Sequence, residues 1–428
     1  MQNTSLYCLP EESKKNNYVL ASYYIHLPSR TDIVKKAEAM AVGQTIGTWV
    51  PVPGITEKMR NQNMGKVVRI LSIPPAELST DEKEELDYII QIAYPEINFH
   101  DSLPMLLTTL LGNDASTSAQ VKLVDLQLPE RFLDCFSGPK FGIEGLRKLT
   151  GIEKRPFILN MIKPCIGFTP EIGAKIFYET ALGGVDFIKD DELLGDPEFC
   201  PAVERVKEYS KAAKAAYEKT GKKTIYVVNA TAKASRQKEH IEALLEAGAE
   251  AIMINFAAVG YSMFHYLTES CPVPVLGHYA TSGMLFEGIS SGLSSEIAAG
   301  KLPRLCGADI VMMNTPYGGY PLRKVKYIQL AKQLALPWGK IKPTLPSVGG
   351  GVHPGIVETY MRELGNDIML APGGAVQGHP MGAAAGVKAM LQAIDYVLKG
   401  ETVQQAMEEH EELRAAIEQF GYRGEKAE

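Results

Sequence analysis

The chain has no apolar run of membrane-spanning length, no basic block and no arginine-rich tail. The first absence argues against a membrane span, and the other two against a nucleic-acid partner. Residues 1–17, MQNTSLYCLPEESKKNN, lack the apolar core of a secretory signal peptide. Cysteine is sparse and scattered: Cys8, Cys135, Cys165, Cys200, Cys271 and Cys306 form neither a disulfide framework nor a CxxC metal cluster. A cytoplasmic location is the expectation. Charge is in no large excess, at −6 over 428 residues. What remains is 45% hydrophobic and 22% charged, the balance of a globular protein with room for two domains.

The pattern changes once along the chain. Residues 18–27, 66–73, 92–97 and 122–129 read as strands, with helices near 30–42 and 102–112. This is an α+β domain, assigned to residues 1–136. From 137 to the end, short apolar strands alternate with helical stretches: FILNMIKP, VDFIKDD, TIYVVNAT, EAIMINFA, VPVLGHYA, ADIVMMNTP, KPTLPSVGGG and NDIMLAPGGA. Eight strands with crossover helices predict an α/β fold, a (β/α)8 TIM barrel over 137–428. Residues 401–414 read as one charged helix, and the last dozen residues as loose. Lys163, Lys189 with Asp191, Asn229, His278 and Asn314 fall at the carboxyl ends of their strands, where barrel chemistry sits.

The most informative stretch is GGVDFIKDDE, residues 183–192. Lys189 and Asp191 share one face of a strand, and Asp190 points the other way. One reading is a structural ion pair at the barrel rim. The other is a site for a hard divalent cation, with Asp191, Glu192 and a Lys189 that has taken up CO2 as a carbamate supplying oxygen ligands. Adjacent acids favour the second, because like charges around one lysine repel. Lys163 is either a snorkelling surface lysine or a proton carrier whose pKa burial and a nearby cation would lower. His278 is either a hydrogen-bonded core histidine or an acid–base or substrate-binding group. The glycines at 349–351 and 373–374 are either tight turns or bare amides for a phosphate. The stretch 316–321, PYGGYP, is a candidate flexible loop.

The motifs GTW (47–49), GN (112–113), GPKFGIEGLR (137–146), IKP (162–164), GGVDFIKDDE, NAT (229–231), GGGVH (349–353) and GGAVQGHP (373–380) occur in an order that resembles the ribulose-bisphosphate carboxylase large chain and its carboxylase-like relatives. The resemblance implies a ferredoxin-like amino-terminal domain before the barrel. It implies Mg2+ on a carbamylated Lys189 with Asp191 and Glu192, Lys163 handling protons on a bound keto sugar, and an active-site His278. Thr48, Trp49, Gly350, Gly351, Gly373 and Gly374 would hold one substrate phosphate. Asn113 would reach into a partner's site in a head-to-tail homodimer, which could assemble further.

The departures from a true carboxylase share a direction. Cys165 stands for a second lysine, Gly43 for a glutamate, Tyr279 for an arginine, Met312 for a histidine and Gly349 for a serine (with Ser347 nearby), and the sixth loop carries no lysine. Metal site and one phosphate site stay; the second phosphate site and the gas-addition groups go. Cys165, Tyr279, Met312 and the Tyr317 loop would read the far end of the substrate. The resemblance therefore implies Mg2+-dependent enolisation of a monophosphorylated keto substrate, not CO2 fixation. The alternative is decarboxylation of a 3-oxo sugar acid phosphate through the same enolate. Transcarboxylation, hydrolytic cleavage, true carboxylation and a non-catalytic sugar-phosphate binder are further rivals.

Overall fold

The computed structural model describes residues 6–48, 50, 52–75 and 85–423. Two compact units emerge: one of residues 1–137, 281–298 and 339–341, the other of 138–280, 299–338 and 342–428. Among the described residues no helix is long and apolar enough to cross a membrane.

The first unit is built on β1 (Tyr18–Pro28), β2 (Lys66–Ile73), β3 (Glu85–Pro95) and β4 (Lys122–Gln127). They pair antiparallel in the order β4-β1-β3-β2. With helices Ile33–Gly43 after β1 and Leu103–Leu111 after β3, this is the βαββαβ ferredoxin-like arrangement. β3 starts seven residues before the predicted strand at 92–97 and ends at Pro95, which cannot donate to a ladder. Its polar start obscured it: Asp87 and Glu85 project to an open face, where they bind His26 at 2.7 and 2.8 Å.

The second unit is a closed parallel barrel. Its strands are β5 (Phe157–Met161), β6 (Phe187–Lys189), β7 (Ile225–Asn229), β8 (Ala251–Asn255) and β9 (Val275–His278). A two-residue strand, β10 (Gly292–Leu293), adds to the first unit's sheet beside β4. β11 (Ile310–Met313), β12 (Leu345–Gly349) and β13 (Met369–Ala371) close the barrel on β5. Each predicted barrel strand contains one of these eight. They are mostly apolar because both faces are covered, with polar residues chiefly at the carboxyl ends. Alternate residues fill the interior: Phe157 and Leu159, Phe187, Ile225 and Val227, Ala251 and Met253, Leu276, Ile310 and Met312. Leu146, from the helix Gly142–Thr150, packs into the same cluster. That helix starts at Gly142, where φ is +58° and a Cβ would lie 2.6 Å from the Pro343 carbonyl, so only glycine fits.

The carboxyl-terminal segment differs from the single helix expected. Thr402 caps Val403–Glu409 through a reciprocal bond with Gln405. The extended backbone of His410 then breaks the run, and Glu411–Phe420 continues it. The end is ordered rather than loose through Phe420, because Leu413, Ala416 and Ile417 are buried.

Candidate active site

Strand alternation sets the centre of the site. Asp190 points away from Lys189 and Asp191 and is wholly buried. It accepts from Arg205 Nη2 at 3.1 Å, from the Tyr226 hydroxyl at 2.7 Å and from the Asn229 N–H at 2.9 Å. Arg205 comes from the helix Ala202–Thr220 and also donates to the Gly195 carbonyl at 2.6 Å and to the Cys200 carbonyl. A buried ion pair is tolerated when its remaining donors and acceptors are met, as here. This outer clamp fixes which way the next residues face.

Lys189 is fully buried at the end of β6. Its Nζ donates to the Asp190 carbonyl at 2.9 Å and lies 3.5 Å from Glu192 Oε2. Burial lowers its pKa, and the three neighbouring acids only partly oppose this. Lys163 donates to Asp191 Oδ2 at 2.7 Å and to Cys165 Sγ at 3.1 Å. The net shift of its pKa is upward. Burial pulls it down, but the hydrogen bonds to Asp191 and Cys165 outweigh that and raise it. Asp191 responds in reverse: burial raises it, and Lys163 brings it to a net lowering.

His278 closes β9 and is 4% exposed. Its Nδ1 accepts from the Ala280 N–H at 3.1 Å, which leaves the proton on Nε2, 3.4 Å from Glu192 Oε2. Burial, then the Lys189 charge, hold its pKa well below the usual value. The imidazole is therefore a neutral donor. Lys163, Lys189, Asp191, Glu192 and His278 thus form one connected group at the carboxyl ends of β5, β6 and β9.

Two asparagines support this group. Asn229 and Asn255 donate to the Glu192 carbonyl at 3.1 and 3.4 Å. Asn255 sits beside His278 in strand register. The sequence reading passed over it because FA follows directly and continues the apolar run. Its place at a strand end was the available signal. Arg205 and Tyr226 were missed for a different reason: a clamp from a crossover helix has no local motif.

The glycines lie at the same barrel end. A Cβ on Gly373 would stand 3.6 Å from Lys163 Cε, and Gly374 opens the turn Gly374–Gln377. Gly350 and Gly351 have φ of +82° and +80°, so a side chain there would be strained. The sixth loop rests on them. A Cβ on Gly318 would lie 2.3 Å from the Gly350 carbonyl, and one on Gly351 3.2 Å from Gly318 Cα. The loop at 316–321 is pinned. Asn314 donates to the Tyr320 carbonyl at 3.1 Å, Leu322 N–H to Thr315 at 3.0 Å, and the Tyr317 hydroxyl to Glu363 at 2.5 Å. Met312 belongs to the barrel core at 2% exposure, so it does not form an open wall for substrate. Ser347 does not replace the missing serine. It is fully buried, and its hydroxyl has no partner among the described residues.

Thr48 and Asn113 lie in the first unit and line one cleft of about 1100 Å3 with Gln44, Arg60, Asn98 and Asp114. Thr48 is tied locally, accepting from the Val50 N–H at 3.0 Å and giving its carbonyl to Arg60 at 3.2 Å. Asn113 is exposed. Trp49 lies outside the described residues.

Among the described residues no three acids, histidines or cysteines cluster as a ready metal site. Asp191 and Glu192 supply two carboxylates, and Mg2+ asks for more oxygen. A buried lysine whose charged form is disfavoured lies 3.5 Å from Glu192, and a carbamate on it would be the third anionic donor. The donor set fits Mg2+ on that condition.

Two family descriptions match the chain: "Ribulose bisphosphate carboxylase large chain, catalytic domain" over residues 142–420, and "Ribulose bisphosphate carboxylase large chain, N-terminal domain" over 7–132. A "Ribulose bisphosphate carboxylase-like protein" of Archaeoglobus fulgidus is 41% identical over 92% of this chain and 91% of its own. A "2,3-diketo-5-methylthiopentyl-1-phosphate enolase" of Geobacillus kaustophilus is 36% identical over 94% of this chain and 98% of its own. Among solved structures, a rubisco-like protein (MtnW) of Alicyclobacillus acidocaldarius superimposes with a TM-score of 0.88 at 33% identity, covering 95% of this chain and all of that one.

Proposed function

We propose that this chain, which belongs to the ribulose-bisphosphate carboxylase large-chain family, is an enolising enzyme of that family's carboxylase-like branch. Its substrate is a monophosphorylated keto compound, and it does not fix CO2. Relatives at 34–36% identity over 94% of the chain are enolases of a phosphorylated diketone, which makes that class the first to assay.

The observation that carries the reading is the pair Lys163–Asp191 and the set Lys189–Glu192–His278, joined through the four residues 189–192 and set beside Cys165 and Tyr279 instead of a carboxylase's second lysine and arginine. Lys189 as a carbamate, Asp191 and Glu192 would hold Mg2+. When bound, the ion supplies Lewis acidity to a substrate carbonyl. The amides of Gly350, Gly351, Gly373 and Gly374 would take the phosphate. Burial keeps the Lys189 amine readily neutral, the form that reacts with CO2. Lys163 Nζ is a proton carrier at the substrate, since hydrogen bonding to Asp191 keeps a proton on it. His278 Nε2–H donates to a substrate oxygen and stays neutral while doing so. The half-buried ring of Tyr279, packed beside the core, suits an uncharged far end of the substrate. The assembly we propose is a homodimer in which Thr48 and Asn113 serve a second copy's barrel.

The test is proton NMR in D2O, with Mg2+ and bicarbonate, over phosphorylated ketones and 3-oxo sugar acid phosphates. Exchange or migration of a carbon-bound hydrogen without CO2 loss is expected, and Lys189→Ala should abolish it while the protein stays folded. Stoichiometric CO2 release would replace this reading with the decarboxylase.

A further inference from the structure

The helix Ile33–Gly43 ends at a glycine whose side-chain space is already taken. A Cβ on Gly43 would lie 1.9 Å from Asp114 Oδ2 and 2.7 Å from its Cγ. Asp114 is 71 positions later, at the start of the π-helical turn Asp114–Ala119. Its carboxylate thus stands where a residue-43 side chain would stand. The local structure holds it there: the Asp114 N–H donates to Gln44 Oε1 at 3.2 Å, and Gln44 Nε2 donates to the Thr109 carbonyl at 2.7 Å. A Cβ on Gly112 would meet Gln44 Nε2 at 2.6 Å, so the glycine before Asn113 lets that lock close.

The Asp114 carboxylate makes no hydrogen bond or ion pair among the described residues. It is half-buried and lines the same cleft as Thr48 and Asn113. Its oxygens are therefore open to a ligand that enters the cleft. The chain resembles carboxylases that carry a glutamate at position 43. Here a carboxylate from another segment stands against the Cβ position of residue 43, within a side chain's length of where a glutamate would carry its charge.

We propose that Asp114 is a catalytic residue which the first unit contributes, beside Asn113, to the active site of a second copy of this chain, where it accepts a hydrogen bond from a hydroxyl or enol oxygen of the phosphorylated keto substrate. The proposal rests on the functional reading above for the class of substrate and for the shared site. It assigns to one carboxylate the contact that Gly43 cannot make.

The experiment compares Asp114→Ala, Asp114→Asn and Asp114→Ala with Gly43→Glu against the wild-type dimer. Turnover is read as hydrogen exchange or CO2 release, whichever the wild type performs. Asp114→Ala and Asp114→Asn should each lose about 100-fold in kcat/KM, the scale of a positioned proton-handling group. Returning the carboxylate through Gly43→Glu should recover at least about tenfold of that. Mixing Asp114→Ala with Lys189→Ala subunits should restore up to about a quarter of wild-type activity, because each mixed dimer then has one intact site. A purely structural role would give neither recovery. Activity of Asp114→Ala within twofold of wild type, or a loss that neither transposition nor mixing recovers, would overturn the proposal. Failure of the functional reading is seen in the wild type alone, as absence of hydrogen exchange. In that case binding of 2-phosphoglycolate, with Mg2+ and bicarbonate present, decides: several-fold tighter binding to Asp114→Ala than to wild type supports the placement, and equal binding overturns it.

Discussion

Met312 and Gly349 share one volume: the Met312 Cε lies 2.6 Å from where a Cβ on Gly349 would stand. The two residues sit on neighbouring parallel strands, β11 and β12. Two departures from the carboxylase pattern, methionine for histidine and glycine for serine, are therefore a single packing event. Gly349→Ser should destabilise by about 1–3 kcal/mol, the usual cost of overfilling a core. Trimming Met312 to alanine should relieve much of that cost. Denaturant unfolding of the two single variants and the double variant measures the coupling. Strictly additive losses would show that the two sites do not compete.

Arg205→Met leaves Asp190 charged and buried with one partner fewer. Removing one member of such a pair costs about 3–5 kcal/mol. Because Asp190 lies between Lys189 and Asp191, the same variant should also weaken Mg2+ binding. Arg205→Lys should restore little, since one ammonium cannot reach Asp190, the Gly195 carbonyl and the Cys200 carbonyl together. Denaturation midpoints and Mg2+ titration of the three proteins check both parts.

The pH response follows from groups whose folded pKa is depressed. Burial holds His278 well below its usual value, and His240, His265 and His353 are lowered by burial too. As pH falls through about 6.5, the unfolded chain binds protons that the folded chain refuses. Stability then drops by up to about 1.4 kcal/mol per pH unit for each such histidine. His278→Gln should make the acid limb of a stability–pH curve shallower by one proton. An unchanged slope would mean that the imidazole is charged in the folded state. Lys163 acts at the other end: its pKa is raised, so its contribution is present below the free-lysine value and is lost as pH climbs through the folded one.

Gly318 permits the sixth loop to lie on the seventh, with only 2.3 Å between its would-be Cβ and the Gly350 carbonyl. Gly318→Ala should lift the loop from Gly350 and Gly351. The expected kinetic signature is a several-fold rise in KM with a smaller change in kcat, since the change touches the phosphate site proposed at Gly350 and Gly351 more than the proposed proton carrier. Steady-state kinetics on the substrate identified by the D2O screen would test it. A loss confined to kcat would place the loop's effect on the chemical step.

The barrel was legible because each strand is a short, mostly apolar run closed within a residue or two by a polar residue, a proline or glycine. The site centre was legible because KDDE puts its chemistry into four consecutive residues. β3 was read short because its first residues alternate acids with apolar residues on a half-open sheet. The partners of Lys163 were not legible, because its pKa depends on Cys165 and Asp191 together, and only the fold brings Asp191 to 2.7 Å. Asp114 could not be found from sequence at all, since nothing in TLLGND (109–114) says that a carboxylate will fill the side-chain space of a glycine 71 positions earlier.

The clamp on Asp190 has a bearing on how this protein can change. Arg205 and Tyr226 grip the KDDE segment from behind the strand, whereas Cys165 and Tyr279 stand before it. The carboxylates that would hold the ion are thus braced from both sides, since Cys165 bonds the Lys163 that holds Asp191, and the Tyr279 ring stacks on His278 beside Glu192. A lineage, or an engineer, that exchanges Cys165 or Tyr279 therefore acts on Lys163 or His278 as well, while the grip of Arg205 and Tyr226 on Asp190 stays as it is.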